Sequence, residues 1–284
     1  MLSHLGSVVN RRGARTGLAV LLVLAALVSV PVNAAPIAVR SPEGATHSFL
    51  VVRSLSGETI GQGETTQVII EGDLVESRLV FRFMDGSLHD EKVTFSQQRV
   101  FTMISYSLAQ HGPLFPNQLD LSIDRGTGQY TVRSQAEAQG KEEVLSGQVD
   151  LPQDVYNGML IIVSKNLKNG ADETVNVLQF TPTPQVVNVQ LHAIDEQPIQ
   201  IDEVSRRARH YVFNPQIGMI RELVGKATGK IPDQFHYHCW IELDAVPKFA
   251  KFEGPLQLMG QIVRIEPVRP RLLAKPEEKE ISSK

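Results

Sequence analysis

The chain has 284 residues, of which 42% are hydrophobic and 21% are charged, and its formal net charge is −3. This length and composition suit a folded protein that buries a sizeable core. The single cysteine, Cys239, excludes an internal disulfide framework.

The first 34 residues are predicted to be a secretory signal peptide. Three arginines precede the apolar run 18–30, and small residues end the segment at Ala34. A membrane-spanning helix needs about 20 residues, so this shorter run favours cleavage over anchoring. We therefore expect a periplasmic or secreted mature protein without a transmembrane segment.

Cleavage would also change the charge of the protein. It removes three arginines and no acidic residue, which leaves 25 Lys and Arg against 31 Asp and Glu, a formal charge of −6. Such a balance argues against nucleic acid and anionic membrane surfaces as main partners.

From about residue 45 to 150, short apolar runs alternate with turn residues. Leu79, Phe81 and Phe83 fall on one face of a predicted strand, with Arg78 and Arg82 on the other. The following Asp-Gly pair is typical of a hairpin turn. Similar runs follow without intervening helices, which indicates an antiparallel meander. They lie at residues 89–95, 101–109, 119–123, 130–134 and 143–149.

One amphipathic helix is predicted over residues 155–167. Asp154 precedes it as a candidate N-cap. Apolar side chains, Ile162 among them, cover a wide arc, while Lys165 and Lys168 lie on the opposite side. We expect the apolar arc to pack against the sheet and the lysines to face solvent.

After the helix the strand pattern resumes, and no long linker divides the chain. Residues 35–273 are therefore predicted to form a single all-β domain, an antiparallel meander curved into a barrel or half-barrel, with the helix packed against it. Residues 274–284, rich in Lys, Glu and Ser, are predicted to be a disordered tail. Further strands are predicted at 174–180, 186–194, 199–204, 207–213, 235–243 and 258–265, and a short helix is compatible with 216–224.

The most suggestive chemistry lies in the predicted strand 235–243. Strand alternation sets His236, His238 and Trp240 on one face, opposite a face that carries Cys239. We predict that these three side chains line a cavity or a hydrated surface. Two imidazoles at this spacing could also converge on a metal, but the sequence identifies no third ligand. Cys239 is expected to be a buried, unreactive thiol.

No catalytic or cofactor motif is recognisable in the sequence. The segment 225–230 has too few residues between its glycines for a phosphate loop, and Ile231 occupies the position of the magnesium-binding hydroxyl. A Gly-x-Ser-x-Gly nucleophile elbow is also missing. We expect no cofactor, no metal and no catalytic residue.

Five short segments together carry a resemblance: Phe81-Arg82-Phe83, Asp85-Gly86-Ser87, His111-Gly112-Pro113-Leu114-Phe115-Pro116, Phe252-Glu253-Gly254-Pro255-Leu256 and Val263-Arg264-Ile265-Glu266. With them the chain resembles a family of uncharacterised exported bacterial proteins with a β-barrel-like fold. The resemblance would cover most of residues 45–268, through motifs of moderate specificity, and it transfers no functional residue. It implies an exported domain loosely similar to envelope proteins that hold lipids in an incomplete barrel.

These observations favour a non-enzymatic binding protein for a hydrophobic small molecule, a lipid or an envelope protein. Two alternatives stay open: an extracytoplasmic hydrolase or metal-dependent enzyme, and a structural envelope protein. A concave apolar cavity would favour the binding protein, and a convergent polar cluster with its own base would favour the enzyme. A filled barrel with exposed apolar strand edges would favour the structural protein.

Overall fold

The computed structural model of the protein describes residues 34–115, 117–136, 140–168, 171–180, 183–201, 204–216, 237–257 and 260–268. The predicted tail 274–284 and nearly all of the predicted signal peptide and of the segment 216–224 lie outside these ranges. Among the described residues, none belongs to a helix with the length and hydrophobicity that a membrane crossing requires.

Fourteen strands and one short helix, α1, make up the regular structure of the described chain. The helix α1 spans Leu160–Ser164. The strands are β1 (Thr46–Ser54), β2 (Thr59–Glu71), β3 (Leu74–Phe83), β4 (Leu88–Gln97), β5 (Phe101–His111), β6 (Asn117–Asp124), β7 (Gln129–Ala136), β8 (Glu142–Gln148), β9 (Glu173–Phe180), β10 (Pro184–Ile201), β11 (Val204–Pro215), β12 (Tyr237–Glu242), β13 (Lys248–Pro255) and β14 (Ile262–Val268).

All fourteen strands belong to one antiparallel sheet. Its order is β8-β7-β6-β5-β4-β3-β2-β1-β14-β13-β12-β11-β10-β9, so the first and last described strands meet in the middle. The chain leaves that middle through one half of the sheet, crosses from edge β8 to edge β9 through α1, and returns through the other half. Among the described residues the two edges do not pair, and this open sheet is consistent with a curved half-barrel. The predicted all-β antiparallel meander is confirmed.

The two faces of the sheet differ in the way that strand alternation predicts. Phe81 and Phe83 are buried, whereas Arg78 and Arg82 are exposed. We call the face that carries Phe81 and Phe83 the inner face and the face that carries Arg78 and Arg82 the outer face.

The predicted helix 155–167 is much shorter in the structure. Gly158 has a φ of +69°, which no continuous right-handed helix contains, so α1 begins only at Leu160. Met159 is the N-cap residue, and it forms no side-chain capping bond. Asp154 is therefore not the cap. Its carbonyl oxygen instead accepts a hydrogen bond from the amide of Asn176 on the edge strand β9.

The packing predicted for this segment is confirmed although its conformation is not. Met159, Ile162 and Val163 are at most 4% exposed and join a core cluster that draws on strands from both halves of the sheet. The segment 155–167 thus fills the inner side of the sheet.

The solvent-facing position predicted for Lys165 is wrong. Its side chain is only 13% exposed, and its Nζ lies 2.6 Å from Oε1 of the buried Glu43. Lys168, in contrast, is exposed as predicted. Because Glu43 lies 122 residues away, the helical pattern could not show that it covers Lys165.

Two details of the second half also differ from the prediction. The strands predicted at 186–194 and 199–204 are one long strand, β10, with a register shift in its pairing with β11 between Ala193 and Asp195. The strand β13 was not predicted, because its sequence alternates apolar and charged residues only briefly.

Candidate functional site

The predicted cavity-lining residues occupy the outer face of β12, as far as the structure describes them. His236 lies outside the described residues. His238 is half-buried, and Trp240 is 6% exposed. The Trp240 ring is covered by the Lys251 side chain, whose Nζ lies 3.7 Å from the ring centroid, so the predicted open face is covered at this residue.

His210 on β11 also belongs to this group, although no sequence pattern predicted it. His210 stacks on Trp240 with ring centroids 4.5 Å apart and planes at 4°. Its Nε2 lies 2.8 Å from Nδ1 of His238, so the imidazoles share a hydrogen bond. Burial lowers the pKa of His210, and His238 lowers it further, while Asp195 opposes the shift.

This pair is not a complete metal site among the described residues. Asp195 reaches Nδ1 of His210 at 3.5 Å, but no group of three or more His, Cys, Asp or Glu side chains in the described ranges could hold a metal ion. The arrangement can relay a proton between two imidazoles and a carboxylate.

Cys239 points to the inner face, opposite to Trp240. It is a free, fully buried thiol in the main core cluster. Burial raises the pKa of this thiol, which keeps it protonated and unreactive, as predicted.

A second polar group lies inside an apolar cluster on the inner face, and we call it the His89 cluster. His89 comes from β4 and Gln110 from the neighbouring position of β5. Phe81, Phe83 and Phe115 surround them, with Phe81 and Phe115 centroids at 5.7 and 6.3 Å from the imidazole. The members of the His89 cluster are Phe81, Phe83, His89, Gln110, Phe115 and Leu256.

Two loops close over the His89 cluster. Residues 112–115 follow β5, and Gly112 has a φ of +98° with the Ser87 Cα only 2.6 Å from where a Cβ would stand, so only glycine fits. The Leu114 amide donates to Ser87 Oγ at 2.9 Å. The second loop follows β13, and its Leu256 carbonyl accepts from Gln110 Nε2 at 2.9 Å.

His89 has an unsatisfied hydrogen-bonding nitrogen. Its Nδ1 accepts from Gln110 Nε2 at 3.0 Å, which leaves the proton of the neutral ring on Nε2. Within the described ranges, Nε2 is the one buried side-chain nitrogen or oxygen without a hydrogen-bond partner. An orphaned buried donor costs about 1–3 kcal/mol, so a missing acceptor such as water or a ligand is expected beside it.

Acidification is expected to destabilise the protein through His89. Burial lowers the pKa of His89 from 6.5 to about 4. Between these values the unfolded chain binds a proton at this position and the folded protein does not. Stability should therefore fall as the pH drops from 6.5 to 4, by about 3 kcal/mol in total from this residue.

Urea unfolding at pH 7, 5 and 4 measures this effect, with His89→Gln as the test variant. The variant should lose about 3 kcal/mol less stability than the wild type on acidification, whatever its stability at pH 7. His47→Gln, which removes a half-exposed imidazole, is the control. An acid response that is equal in wild type and His89→Gln would contradict the buried, neutral state of His89.

Sequence reasoning placed the strand correctly but overlooked His89. Strand alternation could have identified it, because His89 shares the buried face of β4 with Val93 and Phe95. A polar residue that alternates with core residues on a strand is a candidate buried polar group.

Two hollows open on the outer face of the first half of the sheet. The larger, of about 610 Å³, spans β3 to β7. The smaller, of about 350 Å³, lies on β2 and β3 beside Phe49 and Met84. Neither hollow was predicted from the sequence, because each depends on which residues become neighbours across strands.

No protein-family model and no curated protein matches this chain. The family resemblance therefore stays a prediction. The segments that carry it nevertheless meet in one place: Phe81, Ser87, Phe115, Leu256 and Val263 all belong to the His89 cluster or contact it. Those segments therefore share the region of the inner face around His89.

Proposed function

We propose that this protein is an exported, non-enzymatic binding protein that holds a hydrophobic ligand at the His89 cluster. The observation that carries the proposal is the buried Nε2–H of His89, which has no acceptor among the described residues. A hydrophobic molecule with one ether, ester or carbonyl oxygen would supply that acceptor and contact the apolar side chains around it once the covering loops move.

The surroundings of His89 fit such a ligand. The cluster of buried side chains around it is apolar and includes Leu50, Val52 and Ile265 in addition to the phenylalanines. Burial keeps His89 neutral at pH 7, so it offers a hydrogen bond without a charge. An apolar body with a single polar contact is the recognition pattern of hydrophobic-ligand sites.

Ligand entry requires the two covering loops to move. His89 is 4% exposed, and Phe115 is 2% exposed above it. The loop after β13 is tied to β5 by Gln110 Nε2, which donates to the Leu256 carbonyl at 2.9 Å, and to β6 by Gln257 Nε2, which donates to the Asn117 carbonyl at 2.8 Å. Breaking two such bonds costs about 1–3 kcal/mol, which a hydrophobic ligand recovers when it buries its surface.

The neighbours of His89 support a non-enzymatic role. In the described part of the chain, its ring contacts the Gln110 amide and two phenyl rings. These groups provide neither a nucleophile nor a second base, which general acid–base or covalent catalysis would need.

Methyl laurate and dodecane are matched probes for this function. We expect methyl laurate to shift the ring ¹⁵N resonance of His89 and dodecane to bind more weakly, because only the ester accepts a hydrogen bond. His89→Phe, which keeps an aromatic ring and removes the donor, should bind both probes equally. A His89 resonance that no probe changes, together with a long-lived water at Nε2, would contradict the proposal, since water alone would then satisfy the nitrogen.

Native mass spectrometry of protein purified from its own envelope tests the same proposal without a chosen probe. We expect a mature chain beginning at Ala35 or Pro36 with a retained hydrophobic molecule, which His89→Phe should lose. A full-length chain in the cytosol would contradict the proposed export.

A structural envelope protein is the second candidate. The inner-face side chains are already packed, and Val68, Ile69 and Ile70 at the end of β2 are 48%, 51% and 55% exposed. This arrangement suits assembly with another surface. Retention of a mass that depends on His89 favours binding, whereas self-association that Ile69→Lys abolishes favours assembly.

A further inference from the structure

The larger hollow on the outer face has a floor of small side chains between charged walls. Ser107 and Ala109 of β5 and Ser122 of β6 form the floor. Arg78 and Lys92 stand on the wall formed by β3 and β4. The hollow lies on the opposite face of the sheet from the His89 cluster, so any ligand there is a separate one.

The strand register aligns its hydrogen-bond donors in one stripe. Arg78 pairs with Lys92, Lys92 with Ser107, Ser107 with Ser122, and Ser122 with Thr131. At about 4.8 Å between strands, the stripe is about 19 Å long. It presents two cations at one end and three hydroxyl groups along the rest.

The two cations of the stripe lie directly opposite each other on β3 and β4. Like charges directly opposite each other on neighbouring strands destabilise a sheet. Arg78 is held by Asp90, with 2.6 Å between Nη2 and Oδ2, whereas Lys92 Nζ is 3.6 Å from Glu76 Oε2. The second distance is too long for a good hydrogen bond, so the Lys92 ammonium has donors to offer.

We propose that this hollow binds an acidic oligosaccharide. A sugar carboxylate would contact Lys92 beside Arg78 and relieve their repulsion. Ring hydroxyls would exchange hydrogen bonds with Ser107, Ser122 and Thr131, which both donate and accept. The flanking carboxylates Glu76, Asp90 and Asp120 disfavour densely charged anions, so the ligand carries its charges apart, with hydroxyls between them.

Calorimetric titration with tetragalacturonic acid tests this proposal, with maltotetraose and tetraglutamate as matched neutral and peptide probes. The wild type should bind the acidic sugar at least about tenfold more tightly than either control, because only that probe offers both carboxylates and hydroxyls. Equal affinity for tetraglutamate would overturn the proposal, because the stripe would then recognise carboxylates without any contribution from sugar hydroxyls. Absence of binding to the acidic sugar would also overturn it.

Three variants locate the site. Lys92→Gln should weaken binding of the acidic sugar by about tenfold, and Ala109→Trp, which fills the floor without a charge change, should abolish it. Lys248→Gln is the control, because Lys248 is an exposed lysine of β13 outside the hollow. Equal binding by all three variants would overturn the assignment to this hollow.

The His89→Phe variant separates this proposal from the proposed function. This variant should bind the acidic sugar as the wild type does, because residue 89 lies on the inner face and the hollow on the outer face. Circular dichroism confirms that each variant is folded. If a folded Ala109→Trp variant still binds the acidic sugar, the assignment of the site to this hollow is wrong, whatever the result for Lys92→Gln.

Discussion

Ile162→Asp should abolish stable folding. Ile162 is 4% exposed within α1 and belongs to the cluster that both halves of the sheet share. A carboxylate there loses its hydration, and the lost apolar contacts add to that cost, giving a total of several kcal/mol. Since folded domains are stable by about 5–15 kcal/mol, such a loss leaves little folded protein. Urea unfolding monitored by far-UV circular dichroism measures it.

Lys168→Asp is the matched control for that experiment. Lys168 lies in the same segment but is exposed, so its substitution should change stability by at most about 0.5 kcal/mol. Lys165→Asp is unsuitable as a control, because it would set a second carboxylate beside Glu43. Equal tolerance of Ile162→Asp and Lys168→Asp would contradict the packing of this segment.

The contrast between these lysines shows what a helical pattern can and cannot predict. Apolar positions such as Ile162 were assigned correctly because burial of one arc is a property of the segment itself. The environment of Lys165 depends on Glu43, which reaches it from before the first strand. The helix is shorter than predicted because Gly158 has a positive φ, and a Cβ added there would lie within 3.2 Å of Tyr106 and Val93, which are distant in sequence.

The strands were more predictable than the sites. Alternation between Leu79, Phe81 and Phe83 and the intervening arginines defines a face from sequence alone. A site, in contrast, depends on which strands become neighbours. His210 meets His238 only because β11 pairs with β12, and the stripe from Arg78 to Thr131 requires the register of five strands.

Trp240→Ala should destabilise the protein by about 3–5 kcal/mol, the usual cost of truncating a buried large aromatic residue. The Trp240 ring is 6% exposed and packs with Ala208 and Ala250. Both of these residues are small, so neither side chain can expand into the space that the indole leaves. The truncation also removes the stacking surface of His210 and the ring beneath Lys251.

The same environment decides whether Trp240 reports on a ligand. A covered indole should be poorly accessible to iodide and acrylamide, and its emission should not shift with methyl laurate, which we expect at His89 on the other face. Trp240→Phe, which keeps an aromatic ring over Ala208, should cost less stability than Trp240→Ala. If Trp240→Ala were as stable as the wild type and lost ligand binding, the outer face of β12 would be the ligand surface, as the sequence first suggested, and the covering by Lys251 would have to open in solution.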